Sequence, residues 1–205
     1  MALLQNGCTK RVALVVGVAA TILALPFGVA SMANERDDEG RGRGREVQWV
    51  NHFDLLPGDP SVTSTSSNST NSGVGGGLTG LVITSSTPGD TDSFGGNKVV
   101  HMALELAEDT KIKGVRLCYE LSSPSSYITQ IRLAQIQDPP ATALVLLDDG
   151  TDLTAVGPVC VNSAILAKPI SSRKGAVLLS FRVFTDPQTG DKDKIVIRAV
   201  GLLVH

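Results

Sequence analysis

Three carboxylates stand within five residues at Asp148-Asp149-Gly150-Thr151-Asp152. Hard oxygen ligands at this spacing suit Ca²⁺, and weak sites with Kd ~10⁻⁴–10⁻³ M fill outside cells. Asp148, Asp149 and Asp152 are therefore the candidate metal ligands of this chain. Asp-Gly is also a favoured hairpin-turn dipeptide, so turn chemistry explains the same run without a metal. Asp90-Thr91-Asp92 and Asp186–Asp193 are two further acidic turns, and none of the three follows the EF-hand pattern.

Other reactive side chains are sparse. His52, His101 and His205 are far apart, with no HxH or HExxH spacing for zinc. His101 falls at a strand position and reads as an ordinary strand residue. No G-x-S-x-G elbow is present, and Gly75-Gly76-Gly77 lacks the Lys-Ser/Thr of a phosphate loop. No residue is therefore assigned a catalytic role. Tyr127, at the end of the Ser122–Ser126 connection, is a candidate ligand contact at a loop edge.

The cysteines carry more information. Cys8 lies in a leader-like segment, which leaves Cys118 and Cys160 as an even pair in strand-like contexts. In an exported chain such a pair is expected to form a disulfide, closing a loop of about 40 residues worth roughly 3–4 kcal/mol.

The leader argument rests on residues 1–33. Lys10-Arg11 precede an apolar run from Val12 to Leu25, and Ser31 and Ala33 are small residues before a cut after Ala33. A run of 14 residues suits a signal peptide better than a spanning helix, which needs roughly 20. The expected location is secreted, periplasmic or cell-surface, with no membrane attachment after cleavage. Residues 34–46 are almost wholly charged or Gly and read as a disordered leader. The first 33 residues hold two of the 18 basic and none of the 20 acidic residues, so the remainder carries a net charge of about −4. Such a balance offers no general attraction to nucleic acid.

The elements that must position these residues are strands. Val47–Leu56 is a first short strand, with Trp49 as a packing anchor, and it ends at Pro57-Gly58-Asp59-Pro60. Ser/Thr/Asn/Gly-rich residues follow to 77 and read as a linker. From 78 to 205, short β-type runs alternate with turn signals. Tyr127–Gln137 alternates clearly, and Ile195–Val204 is apolar enough to be a central strand, with Gly201 marking a bulge. The fold class is all-β, an antiparallel, jelly-roll-like β-sandwich of about 8–9 strands.

Export, a disulfide, a sandwich and no catalytic motif together imply a non-catalytic module for binding, adhesion or surface assembly. The partner class stays open between a glycan, a protein surface and a second copy of the chain. Ca²⁺ is the one cofactor suggested. The rival is a secreted hydrolase, for example a carbohydrate-active one, using loop carboxylates, for which the aromatic content (8 of 205 residues) offers little sugar-stacking surface.

Overall fold

The computed structural model describes residues 46–67, 80–137, 141–186 and 193–205. The segment expected to be a signal peptide, nearly all of the expected charged leader and residues 68–77 of the expected linker lie outside the described residues. Twelve strands and two single-turn 3₁₀ helices make up the regular structure among them, with no α-helix. No described helix is long and apolar enough to cross a membrane. The strands are β1 (Glu46–Val50), β2 (Leu56–Pro57), β3 (Thr63–Ser66), β4 (Leu81–Ser85), β5 (Val99–Leu104), β6 (Lys111–Leu121), β7 (Tyr127–Ile136), β8 (Ala143–Asp149), β9 (Val159–Asn162), β10 (Ile170–Ser171), β11 (Val177–Phe184) and β12 (Ile195–Val204).

They pair into two antiparallel sheets. One runs β2-β5-β11-β7-β8; the other runs β10-β6-β12-β4-β3, with β1 added to β12 and β9 added to β6. The expected antiparallel β-sandwich is therefore the fold observed. Its organising element is β12. β6 follows one side from Ile195↔Leu121 to Val204↔Ile112, while β4 and β1 divide the other side, taking Ile195–Ile197 and Val200–Val204 respectively.

Alternation of side chains builds the core. In β11, Val177, Leu179, Phe181 and Val183 are buried while Leu178, Ser180, Arg182 and Phe184 are partly exposed, the period-two pattern of a half-buried strand. The inward set meets Leu117, Tyr119, Leu121, Ile195, Ile197, Val200 and Leu202 from the other sheet in one apolar cluster. Each such side chain contributes about 1.5–3 kcal/mol on leaving water. β12 is apolar on both faces because its outer side is also covered: Val196 packs on Val82, and Leu203 is buried.

Four details differ from the sequence reading. The described residues hold twelve strands rather than eight or nine, because β2 and β10 have only two residues each and β3 is wholly polar. β3 lies in the stretch read as linker; cross-strand hydroxyl bonding, with Ser64 Oγ and Thr84 Oγ1 at 2.8 Å, substitutes for apolar packing at this edge. The Val47–Leu56 run is also not continuous. Asn51 accepts from the Phe53 amide and caps a 3₁₀ turn at His52–Asp54, so β1 joins one sheet and β2 the other. The irregularities of β12 against β6 fall at Ile197/Ala199 and Leu203/Val204, not at Gly201.

Two buried charges tie loops to this frame. Lys98 donates from Nζ to the Thr87 and Gly89 carbonyls and to Thr185 Oγ1, at 2.8–3.0 Å. Burial lowers its pKa, with Asp90 opposing the shift. Asp59 accepts from the Ser61 amide and hydroxyl on one oxygen and from the Ser93 amide and hydroxyl on the other.

Candidate functional site

Strand alternation separates the predicted metal ligands. Asp148 and Asp149 are successive residues of β8 and point to opposite faces. Asp148 lies on the outer face of the five-stranded sheet. It pairs with Arg132 at 3.2 Å and accepts from Gln130 Nε2 at 2.5 Å. Asp149 instead accepts from the Thr151 amide and hydroxyl and, on its other oxygen, from the Ala164 amide at 2.6 Å. Burial raises its pKa, but those three hydrogen bonds outweigh it and hold the carboxyl below its ordinary value. Asp152 is exposed. The run is thus the end of β8 and the residues after it, with Asp148 and Asp149 each engaged in separate structural bonds. Among the described residues no group of three or more His, Cys, Asp or Glu side chains forms a metal-holding cluster.

The other acidic turns behave alike. Asp90 forms an ion pair with Arg182, and Asp92 Oδ1 accepts from the Phe94 and Gly96 amides. Most of Asp186–Asp193 lies outside the described residues. Tyr127 opens β7 opposite Phe184 of β11, and the two rings stack at 5.1 Å. His101 sits exposed on β5, as its strand position predicts.

A different constellation appears on the outer face of the seven-stranded sheet. The register places Trp49 opposite Gly201, Gly201 opposite Arg116, and Arg116 opposite Asn162. These four residues form one row across β1, β12, β6 and β9, about 14 Å wide at the usual ~4.8 Å strand spacing. Their neighbours along the strands, among them Val50, Val115, Leu117, Val161, Val200 and Leu202, face the core.

Trp49 is the only tryptophan and is 55% exposed. It does not anchor the core, as its strand context suggested. A Cβ on Gly201 would lie 3.1 Å from Trp49 Cε3 and 3.2 Å from Cζ3, so the six-membered ring fills the space over the glycine. The indole is braced against bare backbone and remains open to solvent.

Beside it, Arg116 donates from Nη1 to Asn162 Oδ1 at 3.1 Å. The guanidinium and the carboxamide NH₂ retain further donors on this face. The rows on either side, Val47–Leu203–Gly114 and Ala199–Cys118–Cys160, carry small or apolar side chains. Glu120 and Arg198 form an ion pair further along the same face.

The expected disulfide is present and belongs to this surface. Cys118 and Cys160 are direct cross-strand partners, bonded across a sequence separation of 42. The bridge fastens the four-residue β9, which carries Asn162, to β6, which carries Arg116. A disulfide fits an oxidising compartment. The signal for this site was present in the sequence: in Val115-Arg116-Leu117-Cys118-Tyr119-Glu120-Leu121, alternation puts Arg116, Cys118 and Glu120 on one face. Which strands flank that face could not be read from it.

The fold defines the class as β-sandwich, and solved structures of similar fold include carbohydrate-binding modules. The CBM22-1-GH10 modules of the Clostridium thermocellum endo-1,4-β-D-xylanase 10B, complexed with xylohexaose, are similar at a TM-score of 0.49 and 10% identity, over 78% of this chain and 28% of that one. The chain thus spans just over a quarter of that structure. A carbohydrate-binding module CBM36, in complex with calcium and xylotriose, has a TM-score of 0.38 and 9% identity, over 75% of this chain and 97% of that one. CBM32-1 from a family 31 glycoside hydrolase of Clostridium perfringens has a TM-score of 0.40 and 11% identity, over 73% and 94%. The likeness is one of fold. No protein-family model matches the sequence, and no curated protein does.

Proposed function

We propose that this chain is an exported, non-catalytic glycan-binding module whose binding surface is the Trp49–Gly201–Arg116–Asn162 row. The observation that carries the reading is the exposed, braced indole of Trp49 in register with two hydrogen-bonding side chains on a rigid sheet. A pyranose presents C–H groups on its faces and hydroxyls at its rim. An open indole face complements the former, and Arg and Asn donors and acceptors complement the latter. Strands hold these groups in place before the ligand arrives, so little ordering entropy opposes binding. The signal segment and the disulfide support the exported part of the reading.

Having one tryptophan makes the test direct. Oligosaccharide titrations followed by intrinsic fluorescence should show saturable shifts in the wild-type chain. By calorimetry, Trp49→Ala should lose binding on the order of tenfold or more, because base–aromatic stacking sets a scale of ~1–3 kcal/mol per ring. Its melting temperature should change little. A glycan panel giving neither a fluorescence shift nor measurable heat, with or without Ca²⁺, would remove the proposal.

A further inference from the structure

Five arginines lie among the described residues. Four are paired with carboxylates: Arg132 with Asp148, Arg173 with Asp109, Arg182 with Asp90, and Arg198 with Glu120. Arg116 differs. Its partner among the described residues is the neutral carboxamide oxygen of Asn162, and no described carboxylate lies within ion-pair distance. This guanidinium, with no ion pair to a described carboxylate, therefore stands on the candidate binding face, one strand from the glycine under the Trp49 ring.

From this we infer that the row is selective for an acidic sugar, a uronate whose ring stacks on Trp49 while its carboxylate pairs with Arg116. The inference rests on the glycan-binding reading and narrows it to a class of sugar. Arg is suited to the role: its five donors form a planar fork matching a carboxylate in bidentate fashion. Asn162 takes one donor of Nη1 and so orients the plane, leaving Nη2 and its edge for the ligand. Charge-assisted bonds of this kind are roughly twice as strong as neutral ones. A sulfate ester shares the anionic chemistry but lacks the planar two-oxygen match. Nucleic acid fits less well, because a single guanidinium on a chain of net charge −2 offers one phosphate contact rather than a charged track.

The test is calorimetry on the full chain with a β-1,4-glucuronan oligosaccharide and a cello-oligosaccharide of equal length, which differ only in the oxidation state at C6. The uronate should bind on the order of tenfold more tightly at low salt, as expected for a charged hydrogen bond of ~1.5–3 kcal/mol. That ratio should shrink as salt rises. Arg116→Gln should bring the ratio close to one, and Arg116→Lys should restore part of it, with melting curves establishing that both variants fold. Equal affinity of the wild type for the two sugars would overturn the inference, as would an unchanged ratio in Arg116→Gln. Tighter binding of a sulfated cello-oligosaccharide than of the uronate would overturn the carboxylate assignment. Tighter binding of single-stranded DNA would move the face to another ligand class. Failure of the glycan-binding reading itself has a separate signature: neither sugar binds, and Trp49→Ala behaves as the wild type.

Discussion

Asp59 has both oxygens engaged by donors from two loops, and this makes the acid limb of stability informative. The Ser61 hydroxyl is the largest influence, then the Ser93 hydroxyl; burial opposes them, and the net effect holds the carboxyl well below its ordinary 3.8. A carboxyl depressed in the folded state contributes stability that is full above the unfolded value and is lost as pH falls through the folded one. Melting temperatures taken from pH 7 toward pH 2 should therefore fall below about pH 4 in the wild type. Asp59→Asn, which gives up two charge-assisted acceptors, should melt lower at pH 7, and the gap between the two proteins should narrow as acid increases. A gap independent of pH would remove Asp59 from the explanation. Gly201 makes a second prediction at this scale. A side chain there meets Val47 Cγ1 at 2.5 Å and the Trp49 ring at 3.1 Å. Gly201→Val should cost about 1–3 kcal/mol by overpacking, change the tryptophan emission without ligand, and weaken sugar binding. An unaltered spectrum would mean that the ring is not seated on the glycine.

Among the elements, β9 is the one held by a covalent bond. It is four residues long, pairs with β6 alone and has exposed residues at alternate positions, so packing by itself gives it little support. The Cys118–Cys160 bridge compensates, and a closed loop of this length is worth roughly 3–4 kcal/mol in the chain-entropy model. Reduction, or a Cys118→Ala/Cys160→Ala double variant, should lower the denaturant midpoint accordingly. It should also weaken binding at the Trp49 row, because Asn162 and the orientation of Arg116 depend on β9. Intact mass before and after reduction and alkylation checks the bridge itself: two free thiols in the native protein would contradict it. β3 shows the reverse case. A Ser/Thr-rich edge strand has no apolar alternation, so composition assigned it to a linker, and only its pairing with β4 identifies it.

At the scale of the molecule, β12 lies in the middle of the seven-stranded sheet, with β6 on one side and β4 and β1 on the other. Ending the protein at Arg198 would remove every partner of β1 and most of the ladder to β6. Such a chain should show no cooperative melting transition, and a sharp transition would refute the central role given to β12. That strand was legible in advance from its unbroken run of β-branched and apolar residues, as was the Cys118–Cys160 pair from its even count, the sandwich class from the regular spacing of strands and turns, and β7 from the alternation of Tyr127–Gln137. These are local properties, set by side-chain period and turn chemistry within a few residues. The candidate site is not local. Trp49, Arg116, Asn162 and Gly201 come from four strands spread over more than 150 residues of sequence, and only the register of the seven-stranded sheet sets them in one row. The same geometry parts Asp148 from Asp149, which adjacency in sequence had joined, because successive residues of a strand face opposite ways. The sequence by itself thus determined the kind of fold and its covalent tie; the tertiary structure alone decided which side chains share a surface, because strand pairing is a long-range choice that no short window of residues encodes.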